Sequence, residues 1–239
     1  MKFIRRFLTF LLLCLLCTGA FFGYRGYERY RDALEAVSLD KKVAEIQSNP
    51  SYTPITDLPQ VYLDAVVAVE DKRFYKHPGF DLISIGRAVK NDIEAGQLIE
   101  GGSTITQQLA KNMYFSQERS ITRKAAELFM ALKLERNYDK KEILELYVNS
   151  IYFGDTYYCV ADASRGYFNK EPRDMNAYES TMLAGIPNAP SAYSPDVSPE
   201  LAHLRQEKVI QSMIKQKYLT REEANQILDT AARQDVAAE

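Results

Sequence analysis

The chain has 239 residues, of which 46% are hydrophobic, and a formal net charge of −2. This length suits about one folded domain beside a hydrophobic N-terminus, and the composition excludes a largely disordered chain. Without residues 1–24 the chain keeps 27 basic and 32 acidic residues, a balance opposite in sign to that of a nucleic-acid-binding domain, so we predict no nucleic-acid partner.

The N-terminus contains an uncharged run of 18 residues, 7–24, which follows Lys2, Arg5 and Arg6. A run of this length with cations before it predicts a membrane-spanning helix whose N-terminus is cytoplasmic, with the rest of the chain outside. A cleaved signal peptide is the alternative, since residues 18–20 form a weak cleavage site. The run is longer than the apolar region of a usual signal peptide, which favours a permanent anchor.

The chain is predicted to have three parts. Residues 1–24 would form a cytoplasmic tip and transmembrane anchor, residues 25–54 a stalk or linker with a loose helical period, and residues 55–239 one domain. Three prolines between residues 50 and 59 interrupt any helix near the second boundary.

Helical periodicity dominates the remaining chain and predicts a mainly α fold, with at most a small β element near residues 51–57. Two helix starts, at Asp139–Glu142 and Thr220–Glu223, have the spacing of a capping box. The predicted helices are about 61–71, 82–96, 103–113, 121–136, 140–150, 157–168, 174–186, 199–217 and 221–233.

The residue types present leave carboxylates as the candidate catalytic groups. The chain has only two histidines and three cysteines, two of which lie in the apolar run, so we predict no metal site of ordinary ligand spacing. No G-x-S-x-G motif supports a Ser/His/Asp triad. Aspartates and glutamates remain as candidate acids and bases.

The segment AVVAVEDKRFYKHPGFD places Glu70 and Asp71 where a buried apolar run ends. A partly desolvated carboxylate there can have a pKa raised into the range useful for a general base. The alternative is a solvated acid paired with Lys72 or Arg73. His77, taken alone, is predicted to be structural.

Two further segments carry polar patterns. GGSTITQQLAKN predicts a helix whose outer face carries Thr104, Gln107, Gln108 and Lys111, a combination suited to a polar ligand with an anionic group. ERSITRKAAELFMALKLER predicts a helix on which Arg123 and Lys124 lie one turn before Glu127. An ordinary surface ion pair explains that second pattern equally well.

In order along the chain, these segments and KKEILELYVNSIYFG, SRGYFNK and LAGIPNAPSAYSPD resemble glycosyltransferase family 51. This is the peptidoglycan glycosyltransferase domain of class A penicillin-binding proteins and of monofunctional, membrane-anchored enzymes. The resemblance covers about residues 55–230. It implies a lysozyme-like, two-lobed fold and the polymerisation of lipid II into glycan strands, with inversion at the anomeric carbon.

The resemblance also implies roles for individual residues. Glu70 corresponds to the catalytic base, and Glu127 to a second catalytic acid that orients the acceptor or steadies nearby cations. Lys111 and Arg119 correspond to the cations that hold the diphosphate. The implied substrate-binding residues are Arg87, Ser103, Gln107, Gln108, Lys111, Arg119, Arg123 and Lys124.

Cofactors, partners and location follow from the same resemblance. No cofactor is required, although a divalent cation is possible at the diphosphate. The partners would be lipid II, the growing glycan chain, the membrane and other cell-wall synthesis proteins. The chain would be a single-pass protein of the bacterial cell membrane with an extracytoplasmic catalytic domain.

Two other functions compete with this one. A muramidase-like hydrolase or lytic enzyme would also use two acids beside a sugar groove. The other hypothesis is a scaffold without catalytic activity that binds lipid-linked precursor.

One segment departs from the family pattern. YFGDTYYCV has Thr156 and Cys159 where glycines are common, and threonine tolerates positive φ poorly. The local turn is therefore expected to differ.

Overall fold

The computed structural model describes residues 2–96, 101–116, 118 and 120–238. For residues 89, 92, 95 and 230–238 it describes the backbone alone. Within the described residues no strand is present, so the predicted mainly α class is confirmed. The two-lobed, lysozyme-like arrangement stays an expectation from the resemblance. The helices are α1 (Lys2–Ala36), α2 (Leu39–Gln47), α3 (Gln60–Glu70), α4 (Leu82–Ala95), α5 (Ile105–Tyr114), α6 (Ile121–Asn137), α7 (Lys140–Val148), α8 (Val160–Phe168), α9 (Ala177–Gly185), α10 (Pro190–Tyr193), α11 (Pro199–Gln216) and α12 (Arg221–Ala238).

Helix α1 is long and apolar enough to cross a membrane, judged by length and composition, and the apolar side chains of its first half are exposed. Its second half packs along α6. Gly26 is buried there, where the two helices approach so closely that a Cβ at this position would lie 2.4 Å from the Cβ of Ala125. Tyr27 and Tyr30 both contact the ring of Phe129. The helix thus joins the apolar run to the folded domain without a break.

The segment predicted as a stalk is packed against the domain. Leu39 and Val43 of α2 are each 5% exposed and belong to the main core. The expected β element near residues 51–57 is wrong, because a 3₁₀ turn occupies Ile55–Asp57. The backbone N–H and carbonyl of nearby Thr53 both bond to the side-chain amide of Asn149, at 2.8 Å each, so they need no partner strand.

The main core forms around α3, in which residues 65–69 are all apolar. Six of its eleven residues are buried, and the helix packs against both α9 and α11, while α5 packs against α6 and α7. A smaller apolar cluster joins α9, α11 and α12 through Tyr178, Met182, Ile210 and Ile227. These contacts fix the end of α3 beside α5 and α11.

The predicted capping boxes are confirmed at Asp139–Glu142 and at Thr220–Glu223. Helix α5 begins later than predicted, at Ile105, because Thr104 is its N-cap and forms a capping box with Gln107. Elsewhere the predicted helices differ from the observed ones mainly at their ends, where capping side chains and prolines decide the first and last turns.

Candidate active site

Glu70 is the last residue of α3, and its side chain is 10% exposed. Its Oε2 accepts a hydrogen bond of 2.8 Å from Gln108 Nε2, and Arg205 Nη2 lies 3.5 Å from its Oε1. Burial raises the pKa of Glu70, while Gln108 and Arg205 act in the opposite direction. A carboxylate with this balance is suited to accept a proton.

The alternative of a solvated acid paired with Lys72 or Arg73 does not hold. Arg73 Nε donates instead to Asp81 at 2.9 Å, and Glu70 faces α5 and α11. The neighbouring Asp71 accepts from His77 Nε2 and, at 3.1 Å, from the backbone N–H of Ile105. Asp71 and His77 are both buried, and Asp71 ties the end of α3 to the start of α5.

Glu127 lies on α6 and is 1% exposed. It pairs with Arg123 Nη1 and, at 3.0 Å, with Lys124 Nζ. The ion pair predicted from spacing is therefore present, but the alternative of an ordinary surface pair is wrong because the carboxylate is buried. Lys124 Nζ also donates to Ser103 Oγ at 2.6 Å, which joins α6 to the residues before α5.

The polar face predicted on α5 divides into two parts. Thr104 and Gln107 are 2% and 4% exposed and bond to each other in the capping box, so they hold the helix start. Gln108 and Lys111 are only partly buried and line the cavity that also contains Glu70 and Arg205. The exposed polar surface of α5 is thus smaller than the sequence suggested.

These side chains line a groove made of three adjoining cavities of about 200, 260 and 710 Å³, all bounded by Gly101 and Ser103. Glu70 borders the two smaller cavities. Glu127, Arg123 and Lys124 border the largest, together with apolar residues of α4 and α6. Lys111 borders both the middle and the largest cavity, so the two carboxylates share one groove.

The other predicted substrate-binding residues are Arg87, Arg119 and Gln107. Arg87 Nη2 bonds to Ser84 Oγ at 3.1 Å, and Arg87 lines the smallest cavity beside Lys72. Arg119 lies outside the described residues. Gln107 borders the largest cavity although its side chain serves the capping box.

In the described part of the chain, no group of three or more histidine, cysteine, aspartate or glutamate side chains lies together in a way that could hold a metal ion. Positive charge in the groove comes from basic side chains. Arg123 Nε is buried and has no hydrogen-bond partner among the described residues.

Sequence reasoning missed two residues of the site, Arg205 and Tyr147. Tyr147 is 1% exposed and donates from its hydroxyl to Gln108 Oε1 at 3.2 Å. Arg205 lies in α11 within the buried stripe formed by Ala202, Gln206 and Val209. A charged residue on the buried face of a helix was a signal for Arg205, whereas the sequence around Tyr147 is typical of any core tyrosine.

The turn at residues 154–156 keeps positive φ despite its unusual sequence. Gly154, Asp155 and Thr156 have φ of 90°, 44° and 70°. Asp155 Oδ2 accepts from Ser194 at 2.6 Å and from Tyr167 at 3.0 Å, which holds the turn. Cys159 is fully buried at the start of α8.

Comparison with known proteins gives a consistent result. Residues 39–214 match the family described as Transglycosylase. Penicillin-binding protein 1A of Neisseria lactamica is 46% identical over 198 residues, covering 82% of this chain and 25% of that protein. Penicillin-binding protein 1F of Bacillus subtilis (strain 168) is 42% identical over 210 residues, covering 85% and 29%. The chain thus spans about a quarter of the length of these relatives.

Among solved structures, penicillin-binding protein 1A from Haemophilus influenzae aligns over 74% of this chain and 17% of that one, with a TM-score of 0.45 and 24% identity.

Proposed function

The chain belongs to the transglycosylase family, and from this membership we propose that it polymerises lipid II into peptidoglycan glycan strands. The 4-hydroxyl of an acceptor sugar would attack C1 of the growing chain, with inversion. The bond from C1 to polyprenyl pyrophosphate breaks, and the hydroxyl proton passes to a base. The observation that carries the proposal is one groove with a desolvated carboxylate, Glu70, beside a separate cluster of cations.

Glu70 is the proposed base. Its raised pKa favours accepting a proton, and its contacts with Gln108 and Arg205 hold the carboxylate in one place. Both of those neighbours carry donors, so the ionised form is stabilised before the acceptor arrives.

The leaving diphosphate is proposed to lie in the largest cavity. Lys111, Arg123 and Lys124 border it and would neutralise the charge that develops as the C1–O bond breaks. Glu127 would hold Arg123 and Lys124 in position through its two ion pairs. By resemblance, Arg119 joins these cations. Since basic side chains supply this charge, we propose that no cofactor is required, and rates with and without a chelator test whether a divalent ion contributes.

The acceptor is proposed to enter from the other side of Glu70, through the smallest cavity. Lys72, Ser84, Arg87 and Ser103 line it. Burial and the nearby charges of Arg87 and Lys215 lower the pKa of Lys72, which indicates a local concentration of positive charge suited to an anionic group. Donor and acceptor would then meet at Glu70.

The membrane is proposed to bring substrate and enzyme together. Helix α1 would anchor the chain in the bacterial cell membrane with the groove outside the cytoplasm, as the cations before the apolar run indicate. Leu82 and Ile85 of α4 and Ile121 of α6 border the largest cavity and give a polyprenyl chain an apolar wall. Other cell-wall synthesis proteins are the expected partners.

A muramidase-like hydrolase remains the alternative. Two carboxylates beside a sugar groove would also suit glycan cleavage. The buried pairing of Glu127 with two cations argues for a role in holding charge, which hydrolysis of an uncharged leaving group does not need.

The test is incubation of the purified full chain in detergent with labelled lipid II, followed by separation of products by length. Long strands that disappear with Glu70→Gln are expected. Preformed glycan strands cut into short fragments, with no polymer made from lipid II, would favour the hydrolase.

A further inference from the structure

We infer that Tyr147 is a positioning residue that, through the amide of Gln108, holds Glu70 in the ionised form needed for proton transfer. The inference rests on the proposed function of Glu70 as the base. The observation is a continuous set of hydrogen bonds across three helices, from the Tyr147 hydroxyl of α7 to Gln108 of α5 and then to Glu70 at the end of α3.

The direction of each hydrogen bond follows from the chemistry of the groups. Gln108 Nε2 lies 2.8 Å from the carboxylate and must donate to it. The other end of the same amide, Oε1, can only accept, so the Tyr147 hydroxyl at 3.2 Å is the donor. Tyr147 therefore donates to Gln108, and Gln108 donates to Glu70.

Tyr147 stabilises the orientation of the Gln108 amide in which the amide nitrogen faces Glu70. The side chain is 1% exposed, and burial, then the charge of nearby Glu70, raise its pKa well above the usual range. The hydroxyl therefore keeps its proton throughout the pH range of the reaction. A rotated Gln108 amide would lose the Tyr147 donor and turn an oxygen toward the carboxylate, which disfavours the ionised base.

The hydrogen-bond relay from Tyr147 through Gln108 to Glu70 acts on the carboxylate in a different way from the charged groups around it. Hydrogen bonds in series polarise one another, so loss of the distant hydroxyl weakens the bond that reaches the carboxylate. Tyr147 itself carries no charge and does not contact Glu70 through a hydrogen bond. The charged groups near Glu70 are Arg205 of α11, Lys111 of α5 and the adjacent Asp71.

The experiment measures kcat/KM for lipid II polymerisation against pH with the full chain in detergent. Tyr147→Phe keeps the ring and removes the hydroxyl, so the pKa of Glu70 should rise and the acidic limb should move upward by about 0.5 pH unit. The rate should recover at alkaline pH, where the base is ionised in both proteins. Tyr62→Phe, an equally buried tyrosine of α3, is the matched control and should leave the limb in place.

A second variant tests whether the effect passes through the amide. Gln108→Met removes the amide at similar size, and in that background Tyr147→Phe should add no further shift. A uniform loss of rate at every pH with Tyr147→Phe would indicate a packing role and overturn the inference. So would an unshifted limb, or an equal shift with Tyr62→Phe.

The rate of Glu70→Gln distinguishes failure of the proposed function from failure of the role inferred for Tyr147. If Glu70→Gln polymerises at the wild-type rate, the limb does not report Glu70, and both proposals fail. If Glu70→Gln is inactive but Tyr147→Phe has the wild-type profile, the relay alone is overturned.

Discussion

Arg205 approaches Glu70 across 135 residues of sequence, with 3.5 Å between Nη2 and Oε1. The guanidinium is held from the other side, where Nε donates to the carbonyl of Gly185 at 3.2 Å and the group lies over the ring of Tyr193. Its side chain is 13% exposed, so the attraction to the carboxylate is only weakly screened by solvent. Helix α11 therefore supplies a fixed positive charge to the proposed base.

Replacing Arg205 with glutamine is expected to raise the pKa of Glu70, because a stabilising charge is lost from a buried carboxylate. Since the base must be ionised, the acidic limb of kcat/KM should move upward by about one pH unit. Arg205→Lys keeps the charge and should show a smaller shift. An Arg205→Gln profile that coincides with wild type would mean that the contact does not affect the base.

Replacing Glu70 with glutamine should abolish turnover while leaving precursor binding largely intact. The amide keeps the shape of the side chain but accepts no proton, so we expect a loss of at least about 10²-fold in kcat. Polymerisation of labelled lipid II gives the rate, and a binding assay with the same precursor gives the affinity. A rate near wild type would transfer the role of base to Glu127.

Replacing Lys111 with alanine should weaken both donor binding and the chemical step. The lysine borders the cavity of the proposed diphosphate, and losing its charge should cost about 2–4 kcal/mol of transition-state stabilisation if that site excludes water. Lys208→Ala on the exposed side of α11 is the control for general charge loss. Equal rates for the two variants would remove Lys111 from the diphosphate site.

Asp81 should contribute strongly to stability, with a defined pH dependence. Burial acts to raise its pKa, but hydrogen bonds from Arg73 and Ser84 outweigh this and hold the pKa of Asp81 well below its usual range. The carboxylate also caps α4 by accepting from the N–H groups of Ile83 and Ser84. Asp81→Asn should therefore reduce the free energy of unfolding by about 2–3 kcal/mol near neutral pH.

A carboxylate whose folded pKa is lowered stabilises the fold above the unfolded pKa and loses this effect as pH falls. The difference between wild type and Asp81→Asn should shrink below about pH 4, as urea unfolding at several pH values would reveal. A constant difference down to acidic pH would contradict the ionised pair.

Thr156→Gly should stabilise the chain slightly. Thr156 is exposed and has φ of 70°, which costs a residue with a Cβ about 1–2 kcal/mol. Glycine removes this strain but gains freedom in the unfolded chain, so a net increase of about 0.5–1 kcal/mol is expected from chemical denaturation. Asn169→Gly, at φ of 52°, should change less because asparagine tolerates this region. A destabilised Thr156→Gly would show that the threonine side chain makes a compensating contact.

Local sequence determined the helical class, the capping boxes at Asp139 and Thr220, and the position of Glu70 at the end of an apolar run. These features depend on residues within one or two helical turns, so periodicity and capping chemistry reveal them directly. The pairing of Glu127 with Arg123 and Lys124 also followed from helical spacing. The resemblance to the family could be recognised from the sequence because the family's motifs occur in the same order along this chain.

Tertiary structure alone decided which of these residues act together. Spacing gave the same prediction for a surface ion pair and a buried one, and only the packing of α6 made Glu127 inaccessible. Arg205 and Tyr147 lie far from Glu70 along the chain, and their contacts exist because α7 and α11 pack beside α5 and α3. Burial and long-range contacts set the charge state of a carboxylate, and neither is encoded in its immediate neighbours.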